Sequence, residues 1–335
     1  MTAPSDDAAR AHAAASVRAA LTSLPLGAAL LSAFAERRDV WLVGGAVRDL
    51  LLGGLPKELD LVVDGAEVDA VAAGLVERLS GEVRGYDRFG TASVCTPLGG
   101  VDLARARREH YRTPGALPMV SPAPLEEDLQ RRDFTVNAIA VALGPDPARL
   151  CAHPRALADL DGRQLRVLHD ASFIDDPTRL LRLARYEARL GFAIEPHTAL
   201  LAGAAIAGGA LATVSGARIG AELRLLLAEP ARVAALLALG RAGLLATLDP
   251  GLEVDRGLLE AALELAPPDA SPEVIALAAV GVPVAQREGP DALRSLLDHL
   301  CVPARERGLV LEAAASAAPL SAALAAAIRP SEIRA

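Results

Sequence analysis

All nine aromatic side chains of this 335-residue chain, from Phe34 to Phe192, lie before residue 193, and none lies in 201–335. A segment that long without an aromatic ring builds its core from Ala and Leu, both strong helix formers. The chain therefore divides near residue 200. Beyond that point, Ala/Leu runs broken at Pro230, Pro250, Pro267, Pro268, Pro283 and Pro290 predict an α-helical tail with short breaks and no evident repeat.

Length predicts two or three domains, taking roughly 100–200 residues per domain. With 52% hydrophobic and 23% charged residues and a mean hydropathy of +0.31, the chain is neither disordered nor a disulfide scaffold. No uninterrupted apolar run approaches the ~20 residues of a membrane span, so no membrane partner is expected. Met1 to Arg10 carries Asp6 and Asp7 and lacks a basic stretch followed by an apolar one, unlike a secretory signal. Cys95, Cys151 and Cys301 have no CxxC spacing, which argues against structural zinc and predicts a cytoplasmic protein. The net charge of −8 disfavours general nucleic-acid binding. Lys57 is the only lysine. A GC-rich coding bias accounts for both the Arg and the Ala content, so composition alone does not speak for phosphate binding.

Before residue 200 the periodicity alternates. Val40 to Val43, Leu59 to Val63, Glu82 to Tyr86, Thr91 to Cys95 and Val101 to Ala104 predict strands; Ala46 to Leu52, stopped by Gly53-Gly54, and Glu67 to Leu79 predict helices. Together they predict an α/β or α+β sheet domain from about 25 to 145. Pro177 to Leu190 reads as a helix with Arg179, Arg182, Arg185 and Arg189 on roughly one face. Arg182, Arg185 and Arg189 suit RNA phosphates or a solvated face about equally.

Gly44-Gly45, followed at once by a helix, presents free backbone N–H groups that favour an anion, although ordinary strand-to-helix turns are commoner. Glu58 and Asp60 stand at i and i+2, so strand geometry sends both carboxylates to one face. A solvated strand face is the usual meaning of such a pair. Two hard oxygen donors can also hold divalent cations about 4 Å apart that activate a hydroxyl and neutralise a leaving pyrophosphate. Asp102, on a later strand, could close the site as a third carboxylate.

Leu42 to Gly53 (LVGGAVRDLLLG) followed by Glu58-Leu59-Asp60 resembles the signature of the class II tRNA nucleotidyltransferase/poly(A) polymerase family, within the polymerase-β-like superfamily. The resemblance continues in order through Arg107-Arg108-Glu109, Glu127 to Ala138 (EDLQRRDFTVNA) and Asp175 to Arg182 (DDPTRLLR), covering about residues 40 to 200. It implies an α+β fold: a polymerase-β-like nucleotidyltransferase sheet domain followed by an all-α neck, body and tail. The implied division is a helical extension at 1–24, a head at 25–145, a nucleobase-binding neck at 146–205 and a tRNA-binding body and tail at 206–335. The implied activity is Mg²⁺-dependent addition of C and/or A to the tRNA 3′ end from CTP or ATP. A bacterial poly(A) polymerase, or a weakly active or non-catalytic RNA-binding relative, is the alternative.

By the same resemblance, Glu58 and Asp60 are the Mg²⁺ ligands and Arg107 and Glu109 belong to the second motif. Arg131, Arg132 and Asp133 handle ribose and triphosphate, Asp176 and Arg179 read the base, and Gly44, Gly45, Arg48, Asn137 and Arg182 complete the nucleotide-binding set. The chemistry of base reading is simple. Cytosine offers an N4 amino donor beside the N3 acceptor and adenine an N6 amino donor beside N1, so one carboxylate and one guanidinium satisfy either. Guanine and uracil place a carbonyl where the carboxylate needs a donor, a mismatch of about 1–3 kcal/mol. A surface ion pair is the commoner reason for an Asp and an Arg three residues apart.

Two positions depart from the family pattern. The family usually has Asp where Glu58 stands, and Cys151-Ala152-His153-Pro154 replaces an Asp-Pro-Gly-rich turn, for which a local change of turn is expected. His169-Asp170 lacks the further ligands that a metal-dependent phosphohydrolase needs. Residues 201–335 carry 11 Arg against 15 Asp plus Glu, so no basic tail speaks for a poly(A) polymerase. Without aromatic rings this tail cannot stack bases; gauging the shape of a folded tRNA suits it better.

Overall fold

A computed structural model describes residues 6–326, apart from 66, 87–89 and 146. Expectations for residues 1–5, 327–335 and Phe89 lie outside the described residues. The chain separates into two compact units, Met1–Arg112 with Leu117–His169, and Thr113–Ala116 with Asp170–Ala335.

The first unit is built on a seven-stranded mixed sheet. In chain order its strands are β1 (Val40–Val43), β2 (Leu59–Val63), β3 (Glu82–Tyr86), β4 (Thr91–Thr96) and β5 (Gly99–Arg105). A separate two-stranded ribbon of β6 (Arg107–His110) and β7 (Met119–Pro122) follows, and β8 (Ile139–Ala142) and β9 (Leu150–Ala152) return to the sheet, in spatial order β3-β4-β5-β2-β1-β8-β9. The unbroken apolar run of β1 is buried at all four positions, as a central strand covered on both faces must be. Toward the edge, β4 alternates, with Ala92, Val94 and Thr96 buried, the period-two pattern of a strand covered on one face. Trp41, Val43, Val62, Ala138, Ala140 and Ala142 pack with Leu125 and Leu129 in one buried cluster.

The strands and helices read from periodicity stand within one or two residues of their expected ends. The sheet runs past residue 145, because Leu150–Ala152 pairs antiparallel with β8. Around Cys151 the chain forms this edge strand and then turns into the helix Ala156–Asp161. The helix Gly45–Leu51 ends where Gly53-Gly54 predicts: Gly53 takes φ +75°, its N–H reaches Leu50 O at 3.1 Å, and Gly54 N–H reaches Asp49 O at 2.8 Å, a Schellman closure.

The second unit is helical. Its helices include Ser172–Asp175, Thr178–Leu190, Pro196–Ala207, Gly216–Leu227, Arg232–Arg241, Pro272–Glu288 and Pro290–His299. Pro272 and Pro290 open helices, where a missing N–H does no harm. Pro283 was expected to break the chain and instead lies inside Pro272–Glu288. Burial of Val280, Gly281 and Val284 around it offsets the lost backbone bond.

Among the described residues no single helix is long and apolar enough to cross a membrane. The pair Asp7–Thr22 and Pro25–Ala33 passes that test only together and is bent by 116°. It buries Ala14, Val17, Leu21 and Leu30 within the protein.

Candidate functional site

The turn between β1 and the helix Gly45–Leu51 is set by Gly44, whose φ of +68° and ψ of −131° suit a residue without a Cβ. A Cβ there would also stand 2.8 Å from Nη1 of Arg132. The Gly-Gly step therefore brings the start of this helix against a guanidinium, the second positive feature that a bare turn lacks.

Across the sheet, β2 and β5 run parallel, and their register pairs Asp60 with Asp102. Paired residues on neighbouring strands point to the same face, so the two carboxylates share one side of the sheet. Ser93 of β4, paired with Asp102, donates its hydroxyl to Asp102 Oδ1 at 2.6 Å. Glu58 lies exposed one residue before β2. Partial burial pushes the Asp60 carboxyl up from 3.8 to about 6, with Glu58 and Asp102 adding to the rise and Arg132 opposing it. Glu58, Asp60, Asp102 and Arg132 thus form one cluster of opposed charges, with the Gly44 backbone against Arg132.

Arg132 is held from the helix Leu125–Gln130 by Asp128, a buried residue the sequence reading left out of the site. Asp128 Oδ2 accepts from Arg132 Nη2 at 2.9 Å, and Oδ1 accepts from Arg131 Nε at 2.9 Å and from the Arg107 N–H at 3.2 Å. Burial alone would raise the Asp128 carboxyl; the two guanidinium groups outweigh it and hold it below the usual carboxylate range. Arg131 also reaches Glu109 Oε1 at 2.8 Å, and Glu109 Oε2 accepts from Tyr111 Oη at 2.8 Å. The signal that finds Asp128 is its spacing, three and four residues before the paired arginines.

Arg48, Asn137 and Asp133 lie buried behind this cluster. Arg48 donates to Asp49 Oδ1 at 2.8 Å and to Asn137 Oδ1, and Asn137 Nδ2 donates to Asp133 Oδ1 at 2.9 Å. The Phe134 N–H caps the same Asp133 oxygen at 2.8 Å. This chain of bonds ties the Gly-Gly helix to the segment that follows Arg132.

In the second unit, Asp176 stands between the helices Ser172–Asp175 and Thr178–Leu190. Its charge partner is Arg218 at 2.8 Å, whereas the buried Arg179 donates to Ser172 Oγ at 2.6 Å. The arginine row on Thr178–Leu190 is paired with acidic side chains of the same unit. Arg182 and Arg185 lie 4.0 and 3.4 Å from Glu222, and Arg185 and Arg189 lie 3.5 and 3.6 Å from the buried Glu229. Asp170 pairs with His197 at 2.9 Å, an exposed contact within the unit.

A family model described as the poly(A) polymerase head domain matches residues 40–166. The CC-adding tRNA nucleotidyltransferase of Deinococcus radiodurans is 41% identical over 288 residues, covering 79% of this chain and 72% of that protein. The A-adding tRNA nucleotidyltransferase of Geobacter sulfurreducens is 42% identical over 215 residues, 64% of this chain but only 24% of that longer protein. Among solved structures, the Thermotoga maritima CCA-adding enzyme complexed with tRNA superposes with a TM-score of 0.72 at 26% identity, covering 92% of this chain and 75% of the other.

Proposed function

The chain belongs to the tRNA nucleotidyltransferase/poly(A) polymerase family, and from that premise we propose that it transfers CMP and/or AMP from CTP or ATP to the 3′-hydroxyl of a tRNA, releasing pyrophosphate. The observation that carries this reading is the acidic pair Asp60 and Asp102 on adjacent parallel strands, with Arg132 set beside both Asp60 and Gly44.

Asp60, pushed to about 6 by burial and its acidic neighbours, marks a place where positive charge is in short supply. Among the described residues no three His, Cys, Asp or Glu side chains form a complete metal cage. The metal reading therefore rests on the carboxylate pair alone, and Mg²⁺ is commonly bound through one or two carboxylates with substrate phosphates and water filling the rest. Glu58 and Asp60 would hold it, and when bound it would neutralise the developing charge on the phosphates and lower the pKa of the attacking hydroxyl.

The chain's own groups supply the rest. The expectation of two free glycine N–H groups holds for one at most, because the Gly44 N–H donates to Ile139 O at 2.9 Å; Arg132, with the N–H at Gly45, cradles the triphosphate, and Asp128 keeps Arg132 in place. Arg131, Arg107 and Glu109 brace the ribose side, and the buried network of Arg48, Asp133 and Asn137 fixes the backbone around it. The 3′-oxygen forms the new bond to the α-phosphorus, and the bond from that phosphorus to the bridging oxygen breaks, its electron pair leaving with pyrophosphate. Asp102 is the carboxylate next in line for the hydroxyl proton. Asp176 accepts the exocyclic amine of the base, while Arg179 and Arg182 support the base-reading side. In this reading residues 1–24 are an extension, 25–145 the head, 146–205 the neck and 206–335 the tRNA-gauging body and tail. The three free cysteines are in keeping with a reducing cytoplasm.

The test is extension of a tRNA transcript lacking its 3′ end, with Mg²⁺ and labelled CTP or ATP supplied separately. Wild-type protein extends it with at least one nucleotide, and Asp60→Ala does not. No extension by wild type overturns the function; undiminished extension by Asp60→Ala overturns the acidic site.

A further inference from the structure

Three donors converge on one oxygen of Asp176. The Thr178 N–H reaches Oδ1 at 3.1 Å, the Thr178 hydroxyl at 2.6 Å, and Arg218 Nη2 at 2.8 Å. The first two are local, the turn by which an Asp or Asn holds the start of a following helix. The third comes from the helix Gly216–Leu227, 42 residues further along the chain. Arg218 is itself fixed, because its Nη1 donates to the Gly115 carbonyl at 2.7 Å. The Gly115 N–H donates in turn to Ile174 O at 3.2 Å, in the helix just before Asp176. The bonds close a ring that leaves Asp176, passes through Arg218 and Gly115, and returns two residues upstream of its start.

Rotation about the terminal bond of an Asp side chain is broad, so a loosely held carboxylate presents either oxygen in many directions. Here Oδ1 is saturated, and Oδ2 is the oxygen left to accept a ligand's N–H. We propose that Arg218 is a specificity-determining positioning residue: it locks Asp176 so that Oδ2 meets the exocyclic amine of the incoming cytosine or adenine in one orientation. This rests on the reading of Asp176 as the base-selecting carboxylate. The selectivity of such an acceptor lies in its direction as much as in its charge. A carboxylate free to turn can swing away from a carbonyl on uracil or guanine and lose its power to reject it. Arg218 touches no base; it acts through Asp176.

The experiment measures kcat/KM for CTP, ATP, UTP and GTP in wild type, Arg218→Gln, Arg218→Lys and Asp176→Asn, with thermal unfolding recorded for each. Inhibition by inorganic tripolyphosphate reports phosphate binding. In Arg218→Gln the preference for the favoured nucleotide over UTP falls about tenfold, the loss expected when one charged hydrogen bond stops orienting the acceptor. Arg218→Lys keeps the charge and one donor, and recovers part of that preference. Tripolyphosphate inhibition is unchanged in both. If Arg218→Gln does not fold, Arg218→Lys carries the test with a fall of about threefold. An equal loss for all four nucleotides, or an unchanged preference in the Arg218 variants while Asp176→Asn flattens it, overturns the role of Arg218 and leaves the base-reading carboxylate standing. An unchanged preference in Asp176→Asn overturns both.

Discussion

At Asp60 the proposed chemistry and the stability of the fold pull in opposite directions. Its carboxyl is raised from 3.8 to about 6 by burial and by Glu58 and Asp102, so the folded chain without metal holds this proton more tightly than the unfolded chain. The resulting stability is fully present below pH 4 and is lost as the pH rises through about 6, amounting to at most about 3 kcal/mol. Asp60→Asn therefore unfolds at a higher temperature than wild type in metal-free buffer at pH 7.5, and the difference shrinks at pH 4.5. It also transfers no nucleotide. An identical unfolding difference at both pH values would contradict the electrostatic account of this site. Glu58, exposed and one residue outside the strand, has room to shorten, and Glu58→Asp keeps or raises activity in the tRNA extension assay. Loss of activity there would mean that its extra methylene is needed for reach.

The elements that carry these side chains differ in how plainly the sequence announces them. Strands β1, β2, β4 and β5 are legible because their periodicity is local, and the Gly53-Gly54 stop is legible because only a left-handed residue closes a helix that way. The pairing of Asp60 with Asp102 is not, since register between parallel strands depends on the crossover that joins them. Neither is the ring through Arg218 and Gly115, whose members lie far apart in sequence and leave no shared pattern. Asp128 stood in plain view at helical spacing from Arg131 and Arg132, but its burial and its hold on the Arg107 backbone appear only in three dimensions. Asp128→Asn strips the charge from beneath two guanidinium groups and costs about 3 kcal/mol or more, measured by denaturant unfolding. A loss under about 1 kcal/mol would show that solvent takes its place. Gly44→Ala adds strain at a backbone conformation that Ala resists, about 1–3 kcal/mol, and displaces Arg132. Its nucleotide KM rises while the sheet, monitored by circular dichroism, stays intact.

These 335 residues carry a net charge of −8, with 11 Arg against 15 Asp plus Glu in 201–335, so tRNA binding by them would rest on local groups and shape. On this reading the arginine row on Thr178–Leu190 would contribute little to that, because Glu222 and Glu229 pair with it inside the second unit. Arg185→Ala accordingly lowers the unfolding temperature and leaves the slope of log K against log salt for tRNA binding unchanged; a slope shallower by about one would instead make Arg185 a phosphate contact. The central claim, selective addition of C and/or A to tRNA, is tested most directly by sequencing the 3′ ends formed when all four nucleoside triphosphates are supplied together with tRNA lacking its 3′ end and an unrelated RNA of equal length. The account predicts ends extended by C, by A or by C followed by A, on the tRNA alone, and stopping at CCA. Runs of A on both RNAs, or incorporation of U and G at comparable frequency, would contradict it.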